Sequence, residues 1–318
     1  MTEPICTEEN RCSVFPIRYP TIYKCLEIQR GCFWQTHEVD LSGDAIHWNA
    51  LTSDEQYFIK MVLAFFASSD LIINENLSQR FILDVKCIEA RLMYNYQRAM
   101  EDIHSEMYAK LIDTYISDSN EKTMLLNAVQ TIPIVAKKAA FAYEWMASER
   151  PYAERLIAFA AVEGVFFSGS FCAIYWIKQR GILPGLTKSN DFIARDEGQH
   201  VEGAVQLFRL IQNKPSESTA HAIIRAAVTL EEEFICEALP CRLLGMNAVE
   251  MSAHIRYVAN RLLRQFNYST IYTEEKTPFA FMDAISLDNK SNFFESRPSE
   301  YNKLAEVSND EEDASYDF

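Results

Sequence analysis

Met100-Glu-Asp-Ile-His104-Ser-Glu-Met-Tyr108 is the stretch on which the reading of this chain turns. Glu101 and His104 are three residues apart, so on a helix a carboxylate and an imidazole lie one turn from each other on one face. The stripe continues in both directions through Gln97, Tyr108, Leu111 and Tyr115 at spacings of 3 and 4, the rhythm of a core-facing helix surface. The polar groups therefore point inward, where an ionised carboxylate is costly unless paired or bound to a cation.

A second Glu-x-x-His stands at Glu197-Gly-Gln-His200, on a stripe that runs Ile193, Glu197, His200, Ala204 and Leu207. Two further acids sit where acids are least expected. Asp70 follows Met-Val-Leu-Ala-Phe-Phe-Ala-Ser-Ser, and Glu163 is the sole charge between Leu156 and Trp176. Taken singly, each Glu-x-x-His is as well explained by a satisfied buried hydrogen bond. Four helices with one inward acid each, two of them adding a His one turn on, match the pattern of helical di-metal carboxylate proteins. The expected fold is all-α, a ferritin-like bundle with a di-metal carboxylate site formed by Asp70, Glu101, His104, Glu163, Glu197 and His200. Mixed oxygen and imidazole donors suit iron or manganese, whereas structural zinc favours Cys and calcium favours oxygen alone. Tyr108, one turn beyond His104, is expected beside the metals, with Phe167, Phe171 and Ile193 enclosing it.

Composition agrees. The chain has 318 residues, 48% hydrophobic, with only 9 Gly, and no Pro occurs between residues 21 and 132, so helix breakers are scarce. Its 8 Cys contain no C-x-x-C pair, and the N-terminus Met-Thr-Glu-Pro carries no basic apolar leader. Both observations predict reduced thiols in a cytoplasmic protein. A net charge of -15 opposes partnership with nucleic acid or an anionic membrane. The run from Leu156 to Trp176 is long enough to span a bilayer, yet an all-round apolar helix is equally the centre of a large bundle.

Residues 1–20, with Pro4, Pro16 and Pro20, read as an extended arm, and 21–285 as the helical domain. Thr52-Ser-Asp-Glu55 has capping-box spacing and predicts a helix start. Further helices are expected over about 88–117, 121–148, 152–179, 187–213, 217–244 and 247–267. From 286 to 318 the composition turns polar and acidic and ends in Tyr316-Asp-Phe318; such a tail suits docking into a partner's groove. At this level an iron-storage bundle, a di-iron oxygenase and a helical scaffold all remain open.

The chain also resembles the small subunit of class I ribonucleotide reductase, of the eukaryotic and DNA-virus type. The resemblance runs from about Phe15 to Tyr301. It is carried by Phe33-Trp34-Gln-Thr-His-Glu-Val-Asp-Leu41, Ala67-Ser-Ser-Asp70, Asn74-Glu-Asn-Leu77, the stretch quoted at the outset, Ala161-Val-Glu-Gly-Val-Phe-Phe-Ser-Gly-Ser-Phe171 and Arg195-Asp-Glu-Gly-Gln-His200. It implies two iron ions per chain, joined as an Fe–O–Fe centre after reaction with dioxygen. Asp70, Glu101 and His104 would hold the iron nearer the tyrosine, and Glu163, Glu197 and His200 the other. Tyr108 would carry a stable radical, passed to a large subunit that reduces ribonucleoside diphosphates to deoxyribonucleotides for DNA synthesis. Trp34 and Asp196 would relay it, with His104 at the metal end and Tyr301 bridging the subunits. The resemblance further implies a homodimer and docking of the large subunit on the C-terminal tail. Two departures stand out: the long N-terminal extension of many cellular members is absent, which points to a viral or compact-genome source, and the end Ala-Ser-Tyr-Asp-Phe318 replaces the commoner Asp-Ala-Asp-Phe.

Overall fold

Proline opens the first long helix. Pro20 occupies the first turn of α1 (Pro20–Gly31), where the missing N–H has no partner to lose. The sequence pattern assigns no helix there, although Ile22, Leu26 and Gln29 form a buried stripe. The computed structural model describes residues 3–7, 11–238 and 241–282, and every regular element among them is helical. Ahead of α1 the arm is not extended throughout. Pro4–Thr7 make one helical turn, and the Ile5 carbonyl accepts the Lys86 N–H at 2.7 Å.

Thr52 caps α2 (Ser53–Asn76) as its spacing predicts. Its hydroxyl accepts the Glu55 N–H at 3.2 Å, and the Glu55 carboxylate accepts the Thr52 N–H at 2.8 Å. After a wider π turn over Leu77–Phe81 comes α3 (Ile88–Tyr115), packed along α2. The helix expected over 121–148 is instead three pieces, Ser119–Leu126, Ala128–Thr131 and α4 (Pro133–Ala147). Pro133 cannot donate the bond that would continue the earlier turn, so it starts a new helix.

The helix expected over 152–179 breaks as well, into α5 (Tyr152–Gly164) and α6 (Ser168–Gln179). Nothing in Val165-Phe-Phe167 itself signals a break; at the turn the Phe166 carbonyl accepts Lys138 Nζ at 2.9 Å and the Val165 carbonyl accepts the Ser168 hydroxyl at 2.7 Å. Then follow α7 (Pro184–Leu210), α8 (Glu217–Glu232) and α9 (Ala248–Gln265). The stretch after α8 turns as a π-helical segment, Glu233–Ala238, not as the regular helix to 244 that the periodicity suggests.

Packing places α2 on α3, α3 on α7 and α7 on α5, while α4 touches both α2 and α5. The four helices that carry the predicted acids are thus neighbours in series. The start of α7 is anchored from outside. Asp44, buried, accepts the Gly185 N–H at 2.8 Å, the Leu186 N–H at 2.9 Å and the Tyr115 hydroxyl at 2.5 Å. A Cβ on Gly185 would lie 2.8 Å from the Asp40 carbonyl oxygen, so only glycine fits that approach.

Among the described residues two helical stretches, Ser53–Asp84 and Tyr152–Gln179, are long and apolar enough to cross a membrane, one more than the sequence alone suggests. Of their most apolar windows 72% and 94% is buried inside the fold. Interior packing accounts for that apolarity.

Candidate metal centre

α2 brings Asp70, α3 brings Glu101 and His104, α5 brings Glu163, and α7 brings Glu197 and His200. None of the six exposes more than 2% of its surface. Their donor atoms fall into two overlapping groups, Asp70 with Glu101 and His104, and Glu101 with Glu163, Glu197 and His200. Within each group the atoms lie within 4.8 Å of one another. Glu101 belongs to both, so the structure places it between the two positions where the sequence reading gave it to one.

Contacts inside the cluster are short but poorly directed. His104 Nδ1 is 3.1 Å from Glu197 and 3.4 Å from Glu101, and His200 Nδ1 is 3.0 Å from Glu101 and 3.3 Å from Glu197. Yet Asp70 Oδ2, both Glu101 oxygens, His104 Nδ1, Glu163 Oε2 and Glu197 Oε1 are buried with no hydrogen-bond partner among the described residues. An unpaired buried polar atom costs about 1–3 kcal/mol, more when charged. Six of them converging on one volume is what a site built for cations looks like. The donor set of carboxylates and two imidazoles, without sulfur, fits iron or manganese.

Electrostatics tell the same story. Burial pushes Asp70 and Glu163 well above the usual carboxylate range, and neighbouring carboxylates add to it. Burial opposes charge on His104 and His200, but the surrounding carboxylates outweigh it and raise both imidazoles well above their ordinary value. Glu197 is held low in spite of burial, by the two imidazoles. Carboxyls and imidazoles so shifted favour their protonated forms, and a metal binding to them would displace those protons.

Tyr108 is buried one turn beyond His104 and stacks face to face on Phe66, ring centroids 4.7 Å apart and 8° from parallel. Phe66 in turn packs on Phe167 at 5.4 Å and Phe171 at 5.1 Å. The ring that covers Tyr108 directly is therefore Phe66, which sequence reasoning counted only as core; its position four residues before Asp70 was the available signal. Burial, then the carboxylates of Asp70, Glu197 and Glu101, push the phenol well above its normal range.

Trp34, Asp196 and His104 form a connected line. The Trp34 indole N–H donates to Asp196 Oδ2 at 2.7 Å, and His104 Nε2 lies 3.2 Å from the same oxygen. Asp196 is held below the usual carboxylate range against the effect of burial, chiefly by His104 and Arg195. An ionised Asp196 makes Nε2 the protonated nitrogen and leaves Nδ1 facing the cluster. Gln97, noted in the sequence only as part of the stripe, donates to Glu163 Oε1 at 2.6 Å and orients that carboxylate. Tyr301 and the 286–318 tail lie outside the described residues.

A family model described as ribonucleotide reductase, small chain, matches residues 11–278. The chain belongs to the ribonucleotide reductase small-chain family. The ribonucleoside-diphosphate reductase small chain of Variola virus is 50% identical to this small chain over 316 residues, 99% of each. Subunit M2 from Mesocricetus auratus is 51% identical, covering 96% of this chain and 80% of its own length. Among solved structures, the ribonucleotide reductase Rnr4 homodimer from Saccharomyces cerevisiae superposes with a TM-score of 0.83 at 32% identity, covering 94% of this chain and 93% of that one. The dimanganese(II)-NrdF of Streptococcus sanguinis, at 18% identity and TM-score 0.74, shows the shared fold. This small chain is one component of an oxidoreductase, ribonucleoside-diphosphate reductase, and its architecture is ferritin-like.

Proposed function

We propose that the small chain houses two iron ions between Asp70, Glu101, His104, Glu163, Glu197 and His200 and uses them to make a stable radical on Tyr108. The observation that carries this reading is the convergence of six buried, hydrogen-bond-deficient donor atoms beside a buried tyrosine. The bound metals, on reaction with dioxygen, would supply the one-electron oxidising power that Tyr108 requires.

The chain's own residues set the conditions for that oxidation. Burial and the neighbouring carboxylates raise the phenol well above its ordinary range, so the species to be oxidised is the neutral phenol and not the phenolate. Phe66, backed by Phe167 and Phe171, covers the ring, and Tyr108 is 3% exposed, which delays quenching of the oxidised side chain. Transfer away from the core follows the line His104, Asp196, Trp34. When Trp34 loses an electron its N–H proton has an acceptor in place, the Asp196 oxygen at 2.7 Å. The partner is a large subunit that reduces ribonucleoside diphosphates, docked on the 286–318 tail with Tyr301 as the bridging residue. Two copies of this chain form the working small subunit, a reading supported by the Rnr4 homodimer among its structural relatives. None of the eight cysteines forms a disulfide, in keeping with a reducing cytoplasm.

The test is electron paramagnetic resonance after ferrous ion and dioxygen are added to metal-free protein. Wild type is expected to give a tyrosyl signal. Tyr108→Phe is expected to bind as much iron and give none; a persisting signal would overturn the assignment.

A further inference from the structure

Away from the cluster, a second pair of charges is buried in the same core. Lys138 on α4 and Glu231 on α8 meet at 2.6 Å with side chains 1% and 0% exposed. Resting on the reading above, we propose that this pair is a positioning device for the centre: it holds the unwound turn Val165–Phe167 that follows Glu163, and with it the aromatic wall behind Tyr108.

The bonds are specific to that turn. A helix break leaves backbone carbonyls and N–H groups without partners. Lys138 Nζ donates to the Phe166 carbonyl at 2.9 Å, and Glu231 Oε1 accepts the Gly169 N–H at 3.0 Å. One ammonium and one carboxylate, joined to each other, thus secure the break itself, at Phe166, and the first turn of α6, at Gly169. Gly169 is required for the approach, since a Cβ there would lie 2.6 Å from Glu231 Oε1.

The pair also reaches the tyrosine indirectly. Lys138 Nζ sits 3.4 Å from the centroid of the Phe65 ring. Phe65 packs on Phe167 at 5.7 Å and on Phe66 at 5.6 Å, and Phe66 is the ring stacked on Tyr108. Lys138 and Glu231 touch neither the cluster nor the phenol in this chain of contacts; they act through the turn and the rings.

Stability alone does not account for such a pair. Apolar residues of similar volume generally serve a core as well as a buried ion pair or better. Burial pushes Lys138 down to about 8 and Glu231 up to about 7, so mutual attraction offsets the loss of hydration only in part. What an apolar pair could not supply is the two directed bonds to the turn.

That distinction gives the experiment. Lys138→Met/Glu231→Leu replaces the pair by apolar packing and is expected to melt within a few degrees of wild type. In the metal-free form, amide exchange over residues 165–169 should nevertheless speed up about tenfold. Ferrous affinity, measured by chelator competition, should fall about tenfold, and the tyrosyl hyperfine pattern should change as the ring loses its fixed orientation. A double variant with wild-type exchange and wild-type ferrous affinity would overturn the proposal. Should the double variant not fold, Lys138→Arg decides, because arginine retains a donor for both the carbonyl and the carboxylate: preserved protection of 165–169 supports the clamp, and lost protection in a folded protein overturns it. A wild type that binds iron but shows no tyrosyl signal would sink the radical reading alone, and exchange and ferrous affinity would still decide for or against the clamp.

Discussion

Two groups of charges are buried in this protein, and they are solved in opposite ways. The Lys138–Glu231 pair brings its own counter-charge, and both residues are bonded to each other and to backbone. The cluster of Asp70, Glu101, Glu163 and Glu197 has two imidazoles among four carboxylates, and six of its donor atoms have no hydrogen-bond partner among the described residues. A self-contained ion pair is a finished structural element. A carboxylate cluster with convergent idle lone pairs is compatible with a bound metal ion. Burial alone thus does not mark a functional site; the imbalance between charge and bonding does.

Glu101→Ala is the strongest way to break that comparison. Its carboxylate is common to both donor groups, so metal content by elemental analysis should fall from two equivalents toward zero. Two retained equivalents would show that the cluster does not depend on its shared member. Lys138→Met comes next. It leaves Glu231 buried without a counter-charge, and breaking a buried pair from one side costs about 3–5 kcal/mol. Chemical denaturation of the metal-free protein should show that loss, and a change below about 1 kcal/mol would mean that the pair is not the closed unit described.

The smallest effect has the opposite sign. Burial raises Glu163 well above its ordinary 4.5, so metal-free wild type loses stability as pH rises through the interval between the unfolded and folded values. Glu163→Gln removes that loss. The metal-free variant should be more stable than wild type by about 1 kcal/mol at neutral pH, with the difference gone below about pH 4, where the carboxyl is protonated in both states. A destabilised variant at pH 7 would place Glu163 among the self-satisfied groups.

The site was legible because it violates local pattern. Asp70 in an apolar run, Glu163 alone among apolar residues and two Glu-x-x-His on inward stripes each contradict the helix they sit on, and only a shared partner reconciles them. The breaks were not legible for the converse reason. Val165, Phe166 and Phe167 are apolar and continue the α5 periodicity, and Lys138, which bonds the turn, is distant in sequence and lies on another helix. Pro133 offered a signal that periodicity overrode, since Leu125, Ala128, Ile132, Val135 and Ala139 keep spacings of 3 and 4 across it. Phe66 was visible as core, but its stacking on Tyr108 depends on how α2 lies along α3. Lys138 and Glu231 carry no local anomaly strong enough to link them.

The anchoring of α7 by Asp44 reaches further than its three hydrogen bonds. A helix advances by 100° for each residue, so once the Gly185 and Leu186 amides are fixed on one carboxylate, the azimuth of everything downstream is set. Asp196, Glu197 and His200 keep their aim only while the intervening residue count is unchanged. One residue gained or lost between that anchor and Asp196 would swing all three away together, whereas a length change ahead of Leu183 leaves them pointing where they do.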